Sequence, residues 1–261
     1  MNALKADARY HHIYDWLSPP DHTTNQHSAL SKRHDGTGQW FVKGEVFTAF
    51  KEGKVPFLWL SGIPGCGKTI LSSSIIEDLQ HSSLVASAVL LYFYFDFSAV
   101  RKQALDDALR SLLWQLTERG ESSFREVEKL YKGSQNQPST QSVTRVLESV
   151  LQATGRVIIV LDALDECTTR RDLLQWLAET AAKDSIQIIA TSRKEYDIEV
   201  AFTEWLTEDV MLSIQQLEVD KDIQAYVHAR IRSDPDLQRW RDKPLVQKQI
   251  EVELMKKAQG M

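Results

Sequence analysis

Through the middle of the chain, short uninterrupted apolar runs alternate with longer stretches whose apolar residues recur at helical spacing. Five runs read as strands: "VPFLWLSG" (55–62), "ASAVLLYFYF" (86–95), "RVIIVLDA" (156–163), "IQIIATS" (186–192) and "DVMLSI" (209–214). Between them, "KTILSSSIIEDL" (68–79), "ALDDALRSLLWQL" (104–116), "TRVLESVLQA" (144–153) and "RRDLLQWLAETAA" (170–182) gather their apolar side chains on helical faces. The strand runs lack the alternation of a half-exposed sheet, so both faces are expected to be covered. Strands separated by helices pair in parallel through right-handed crossovers. The pattern predicts an α/β domain with a parallel sheet flanked by helices.

Outside this region the pattern changes. "SPPDHTTNQHS" (18–28) reads as a polar, proline-punctuated linker, and "QWFVKGEVFTAF" (39–50) as one short amphipathic helix with Trp40, Val46, Phe47 and Phe50 on its apolar side. "YKGSQNQPSTQS" (131–142) is the clearest internal loop. From about residue 216 the pattern is helical only, and Val246, Ile250 and Leu254 form an apolar stripe that calls for a partner. Three parts are expected: an N-terminal linker and helix (1–50), the α/β domain (51–215) and a partial helical domain (216–261).

Composition narrows the function classes. A net charge of −5, with short basic clusters balanced by acids, argues against a nucleic-acid binder. The longest apolar stretch, 84–95, is too short for a membrane helix, and the opening "MNALKADARYHH" lacks the apolar core of a signal peptide. The two cysteines, Cys66 and Cys167, make no disulfide framework and point to a reducing compartment. A cytoplasmic protein without nucleic-acid or membrane partners is the expectation. Five of the seven histidines precede residue 35, but they lack the spacing of a metal site.

The chemistry begins at Gly62-Ile-Pro-Gly65-Cys66-Gly67-Lys68-Thr69, which fits G-x-x-x-x-G-K-[ST] between a strand and a helix. Glycines there let successive N–H groups curl around a phosphate at a helix N-terminus. Lys68 would meet the β- and γ-phosphates, and the Thr69 hydroxyl would bind Mg²⁺. The run "RVIIVLDALDEC" ends in Asp162, whose carboxylate would hold the Mg²⁺; Asp165 and Glu166 follow and would place or activate an attacking water. The bland alternative is that this acidic end caps the next helix. Arg193, at the end of "IQIIATSR", would sense the γ-phosphate if its strand lies beside the lysine-loop strand, and is otherwise a surface arginine. Cys66 and Cys167 sit beside the site in sequence, either as redox-sensitive thiols or as inert small residues.

With these motifs in order, the chain resembles the NACHT NTPases of the STAND class, and most of all the nephrocystin-like N-terminal NTPase domains of fungal NLR-like proteins. The resemblance rests on "GTGQW", "FLWLSGIPGCGKT", "LYFYFDFS", "VIIVLDALDEC" and "IIATSR", and spans about residues 12–261. It implies a P-loop NTPase fold with a five-stranded parallel sheet flanked by helices, the sensor strand inserted beside the lysine-loop strand, and a small helical domain after it. It also implies a nucleotide switch, ADP-bound at rest and ATP-bound when active, that self-associates in the triphosphate state in signalling or defence. Such proteins normally continue into a winged helix and sensor repeats. This sequence has neither, so the chain reads as a fragment or as a product reduced to its switch core.

The resemblance gives "GTGQW" (36–40) a role. Gly36 and Gly38 would let the Thr37 backbone approach the base, with Trp40 anchoring the loop in the core. The alternative is a helix-entry turn capped by Thr37. The nucleotide-contacting set is then Thr37, Gly38, Gly62, Gly65, Cys66, Gly67, Lys68, Thr69 and Ile70. Thr69 and Asp162 form the metal set, and Asp165, Glu166 and Arg193 the catalytic set. The guanine-reading motif [NT]-K-x-D is absent, which favours ATP/ADP with Mg²⁺, GTP being the alternative. Hydrolysis is expected to be slow, because Ala163 rather than an acid follows Asp162. A non-hydrolysing, nucleotide-stabilised assembly module is the competing function. A small-molecule kinase would need a lid and an acceptor pocket, for which the sequence gives no sign.

Overall fold

The computed structural model describes residues 8–34, 36–132, 136–214, 216–233, 237, 240 and 243–258. All five apolar runs form strands: β1 (Phe57–Ser61), β2 (Val89–Tyr94), β3 (Val157–Asp162), β4 (Ile186–Ser192) and β5 (Met211–Ser213). They make one parallel sheet in the order β2-β3-β4-β1-β5. β1, β3 and β4 are buried along their whole length, as the unbroken apolar runs require. Successive side chains feed opposite faces. Phe57, Trp59, Ile159 and Leu161 join one core, while Leu58, Leu60, Ile158 and Val160 join the other.

The four anticipated helices are α5 (Lys68–His81), α6 (Leu105–Thr117), α8 (Thr140–Ala153) and α9 (Arg170–Ala181). The first packs with the Leu58/Leu60 core, the other three with the opposite one. Two further helices, α7 (Glu121–Lys132) and α10 (Tyr196–Thr203), lie where no helix was expected. Each fully buries only two side chains, Phe124 and Val127 in α7 and Ile198 and Phe202 in α10, although in α7 these recur with Leu130 and Tyr131 at helical spacing, a face the sequence did carry. The β2 edge is closed by Gln115, whose amide accepts from Tyr92 N and donates to Tyr92 O, so the backbone there presents no free pair.

The N-terminal region departs from expectation most. The supposed linker carries α2 (Thr23–Lys32), preceded by α1 (Ala8–Leu17). Asp21 accepts from Thr23 N, Thr23 Oγ1 and Thr24 Oγ1 at the start of α2. Partial burial works against its charge, but those hydrogen bonds outweigh it and hold the carboxyl down at about 2. The polar side chains of α2 turn inward: Gln26 Nε2 donates to Ser73 O, Tyr94 OH donates to Gln26, and Asn25 Nδ2 donates to Asp96. Polar composition reads as linker only when its hydrogen-bonding partners are unknown.

The stretch 39–50 is two helices, α3 (Gln39–Val42) and α4 (Glu45–Lys51), broken at Lys43-Gly44. Its buried anchors are Phe41, Val42, Phe47 and Phe50, whereas Val46 is exposed and Trp40 only half-buried. The expected loop 131–142 is narrower than supposed. Tyr131 and Lys132 end α7, and α8 starts at Thr140 under a Ser139 cap; residues 133–135 lie outside the described residues. After β5 come α11 (Gln216–Ser233) and α12 (Pro244–Ala258), which pack on each other. Of the stripe on α12, Val246 and Ile250 are half-buried and Leu254 is exposed. No helix among the described residues is long and apolar enough to cross a membrane.

Ile13 and Leu17 of α1 are fully buried in the core that also holds Trp114 and Phe124. Leu17→Ala is therefore expected to cost about 2–5 kcal/mol, read as a lower urea midpoint at unchanged slope. A change under about 0.5 kcal/mol, typical of a surface position, would show that α1 is not part of the folded domain.

Candidate functional site

The lysine loop connects β1 to α5. Gly65 and Gly67 hold φ of +78° and +83°, and a Cβ on either would meet nothing within 4 Å, so the loop wraps around open space. The first turn of a helix leaves N–H groups without intrahelical acceptors. Here the first such bond closes only at Leu71 N, onto Gly67 O. Lys68 Nζ lies over the same loop, donating to Gly62 O at 2.8 Å and Ile63 O at 2.9 Å, with Cys66 Sγ at 3.9 Å. Glycine conformation, free first-turn amides and an ammonium group on one concavity are what a phosphate chain needs.

Asp162 ends β3 directly beneath this loop. Thr69 Oγ1 donates to its Oδ2 at 2.8 Å, and Ser72 and Thr191 each donate to Oδ1 at 2.6 Å. The carboxylate is buried. Burial pushes its pKa up, while the three hydroxyls and the charge of Lys68 oppose that rise. A hydroxyl and a carboxylate oxygen this close, under a concave loop of this kind, are a hard-oxygen donor set that would suit Mg²⁺. Ser72 and Thr191 were not singled out from the sequence. Ser72 lies three residues beyond Thr69 on a helix, which was the available signal; Thr191 needed the strand order.

β4 does lie beside β1, with Ser61 opposite Ser192, and Arg193 leaves its end. Its guanidinium is bound to Asp165: Nε sits 3.0 Å from Oδ2, and Arg193 N donates to Oδ1 at 2.9 Å. Glu166 stands apart, accepting Phe97 N at 2.9 Å. Its carboxyl is pushed up by burial and by the charges of Asp165, Asp96 and Asp162, against the pull of the Phe97 amide. Ala163 turns the chain here with φ +60°, a left-handed conformation that costs a residue with a Cβ about 1–2 kcal/mol. The Thr191 hydroxyl accepts from its amide at 3.1 Å. Phe97, Asp165, Glu166, Arg170, Arg193 and Glu195 line one cavity. Cys167 is buried with its thiol pKa raised by that burial, the reverse of what a reactive thiolate needs.

A second cavity, of about 200 Å³, joins the "GTGQW" stretch to the lysine loop: Thr37, Gly38, Trp40, Gly65, Cys66, Gly67 and Ile70 all face it. Gly38 is the N-cap of α3 with φ +78°, so the stretch is a helix-entry turn and a cavity wall at once. Gly38, not Thr37, occupies the cap, and no side chain caps the helix. Trp40 stands in the cavity wall against Phe41 rather than deep in the core. The far wall comes from α11, through Asp222, Ile223 and Tyr226, none of which the sequence suggested. Gly36 and Gly62 do not line this cavity among the described residues; Gly62 packs its backbone against Cys66 Sγ, and a Cβ there would sit 2.5 Å from the sulfur.

Residues 36–193 match the family described as Nephrocystin 3, N-terminal. The vegetative incompatibility protein HET-E-1 of Podospora anserina is 28% identical over 204 residues, covering 74% of this chain but 15% of that protein's own length. Among solved structures, the Walker-type ATPase PABY2304 of Pyrococcus abyssi aligns with a TM-score of 0.45 at 14% identity, over 80% of this chain and 63% of the other. PCH-2 of C. elegans aligns with a TM-score of 0.39 at 14% identity, over 87% of this chain and 51% of the other.

The hydroxyls on α5 supply a test of the Asp162 cradle. Ser72→Ala removes one of three donors from a buried carboxylate and is expected to cost about 1–3 kcal/mol in a urea titration. Ser73→Ala is the control: that hydroxyl donates only to Ile70 O in its own helix, and its loss should change stability by under about 0.5 kcal/mol. Equal effects would mean that Ser72 does not hold Asp162.

Proposed function

Because the chain belongs to the nephrocystin 3 N-terminal family, P-loop NTPases of the NLR-like kind, we propose that it is a Mg²⁺-dependent nucleoside-triphosphate switch with slow hydrolysis. The observation that carries this reading is the 2.8 Å contact between Thr69 and Asp162, which joins the lysine loop to the acidic strand end across 93 residues. Thr69 and Asp162 would hold the Mg²⁺, whose charge would offset that of the β- and γ-phosphates. Lys68 would exchange the carbonyls of Gly62 and Ile63 for phosphate oxygens, and the amides after Gly65 would follow the chain toward the sugar.

The two acids divide the remaining work. Asp165 is committed to Arg193, so it positions that arginine at the γ-phosphate end. Glu166 has one amide partner and a raised pKa, and takes the role of general base toward water. With Ala163 in place of an acid after Asp162, this base stands one turn away, in keeping with slow turnover. The same departure favours the second reading, a module in which nucleotide stabilises a partner-ready state without being hydrolysed.

Residues 51–215 would form the nucleotide-binding core, 1–50 its base side, and 216–261 a partial helical domain. The chain spans about 15% of the length of the curated relative it matches, so a winged helix, sensor repeats and self-association in the triphosphate state belong to the proposal. So do a cytoplasmic location and a part in self/non-self defence, the latter from the relative's name. On sequence grounds the missing [NT]-K-x-D motif favours ATP, with GTP as the alternative.

Lys68→Ala is expected to weaken triphosphate binding by about 2–3 kcal/mol, roughly thirty- to a hundredfold by calorimetry, with the fold retained. Unchanged affinity would remove the phosphate assignment. Glu166→Gln is expected to keep nucleotide affinity and abolish phosphate release above buffer background. Asp165→Asn should lower release less, since it frees Arg193 without removing the base. Release unaffected by either change would make the non-hydrolysing module the better description.

A further inference from the structure

Arg193 shares its corner of the fold with a second arginine. The β3–β4 ladder ends at Leu161 and Ala190, and beyond it the two chains turn away into α9 and α10. Arg170, the first residue of α9, reaches across both turns. Its Nη2 donates to Asp165 O at 2.5 Å. Its Nη1 donates to Glu195, the N-cap of α10, and to both carboxylate oxygens of Asp197, at 3.0 and 3.1 Å. The Arg170 Nε is buried without a partner, a cost that only these other contacts offset. Arg193 is held differently. Its Nε and backbone N–H meet Asp165, and its Nη1 and Nη2 have no partner among the described residues. Glu195 stands two residues further on and lines the same cavity.

Resting on the γ-phosphate reading of Arg193 above, we propose that Arg170 is a positioning residue. It engages Glu195 and Asp197, so that the outer nitrogens of Arg193 stay free for a phosphate. Arg170 touches no phosphate in this role and acts only through Arg193. Without it, two carboxylates would be left beside Arg193, the other arginine lining that cavity among the described residues. A guanidinium presents its donors in one rigid fork, so an Nη bond spent on a carboxylate is lost to a phosphate oxygen. A clamp that merely tied the two turns together would need the same carboxylates as its anchors. The two roles therefore predict opposite effects when the carboxylates are removed: a clamp fails, whereas Arg193 remains available.

The readout is triphosphate preference, measured by calorimetry on the full chain after circular dichroism on each variant. The probes are the Mg²⁺ complexes of the β,γ-imido analogues of ATP and GTP, set against ADP and GDP. Arg193→Ala is expected to weaken triphosphate binding roughly ten- to a hundredfold and to leave diphosphate within about threefold. Arg170→Gln should do the same, while Arg170→Lys, which keeps the charge, should stay within about threefold of wild type. Adding Glu195→Gln and Asp197→Asn to Arg170→Gln should restore most of the lost preference. Those two acid substitutions alone should leave the preference unchanged; with both arginines in place, they carry the test even where Arg170→Gln does not fold. Loss of preference in that pair, or no recovery in the combined variant, makes Arg170 a clamp and overturns the inference. So does a preference that Arg170→Gln leaves intact while Arg193→Ala abolishes it. A preference absent from wild type, or unmoved by Arg193→Ala, removes the γ-phosphate reading and this inference with it.

Discussion

A buried carboxylate at the end of the central strand governs the arrangement around it. Taking an ionised group out of water costs several kcal/mol unless donors replace the lost solvent. Asp162 has three hydroxyl donors, two from α5 and one from β4, and the charge of Lys68 nearby. Those donors can converge only if β4 lies between β1 and β3 and if the lysine loop delivers α5 over the strand ends. The sheet order, the loop and the acidic motif are therefore one structural condition. The same condition sets the Thr69 hydroxyl and an Asp162 oxygen side by side under the lysine loop.

Beyond Asp162 the chain must turn sharply, and it does so through Ala163 in the left-handed region. That strained turn sets Asp165 toward Arg193 and Glu166 toward the Phe97 amide. Two neighbouring carboxylates thus acquire different environments. One is neutralised by a guanidinium, while the other is lifted by burial and by its acidic neighbours. Separation of this kind is what the proposed division between a positioning acid and a base requires.

The cavity beside the lysine loop depends on segments from before β1 and after β5. The turn before α3 stands against α5, and α11 returns from beyond β5 to close the opposite wall. The polar network of α2 on Ser73 and Tyr94 ties the N-terminal segment to α5 and β2 as well. Within the N-terminal part, α2 and the turn before α3 consequently both bear on the site, although much of their sequence is polar.

Strand identity was legible in the sequence because burial on both faces demands unbroken apolar runs, and each run proved to be a strand. The lysine loop and the acidic strand end were legible because their chemistry is encoded within a few consecutive residues. The α2 segment was not, since Gln26 and Asn25 satisfy their amides on Ser73, Tyr94 and Asp96, partners that local polarity cannot reveal. Nor were Thr191 on Asp162, Arg193 on Asp165, or Asp222 on Gly38, each a contact between distant positions. Local pattern records what a residue needs from solvent and from its near neighbours. Which hydroxyl, guanidinium or amide meets a given carboxylate depends on strand order and helix placement, and the tertiary structure alone decides it.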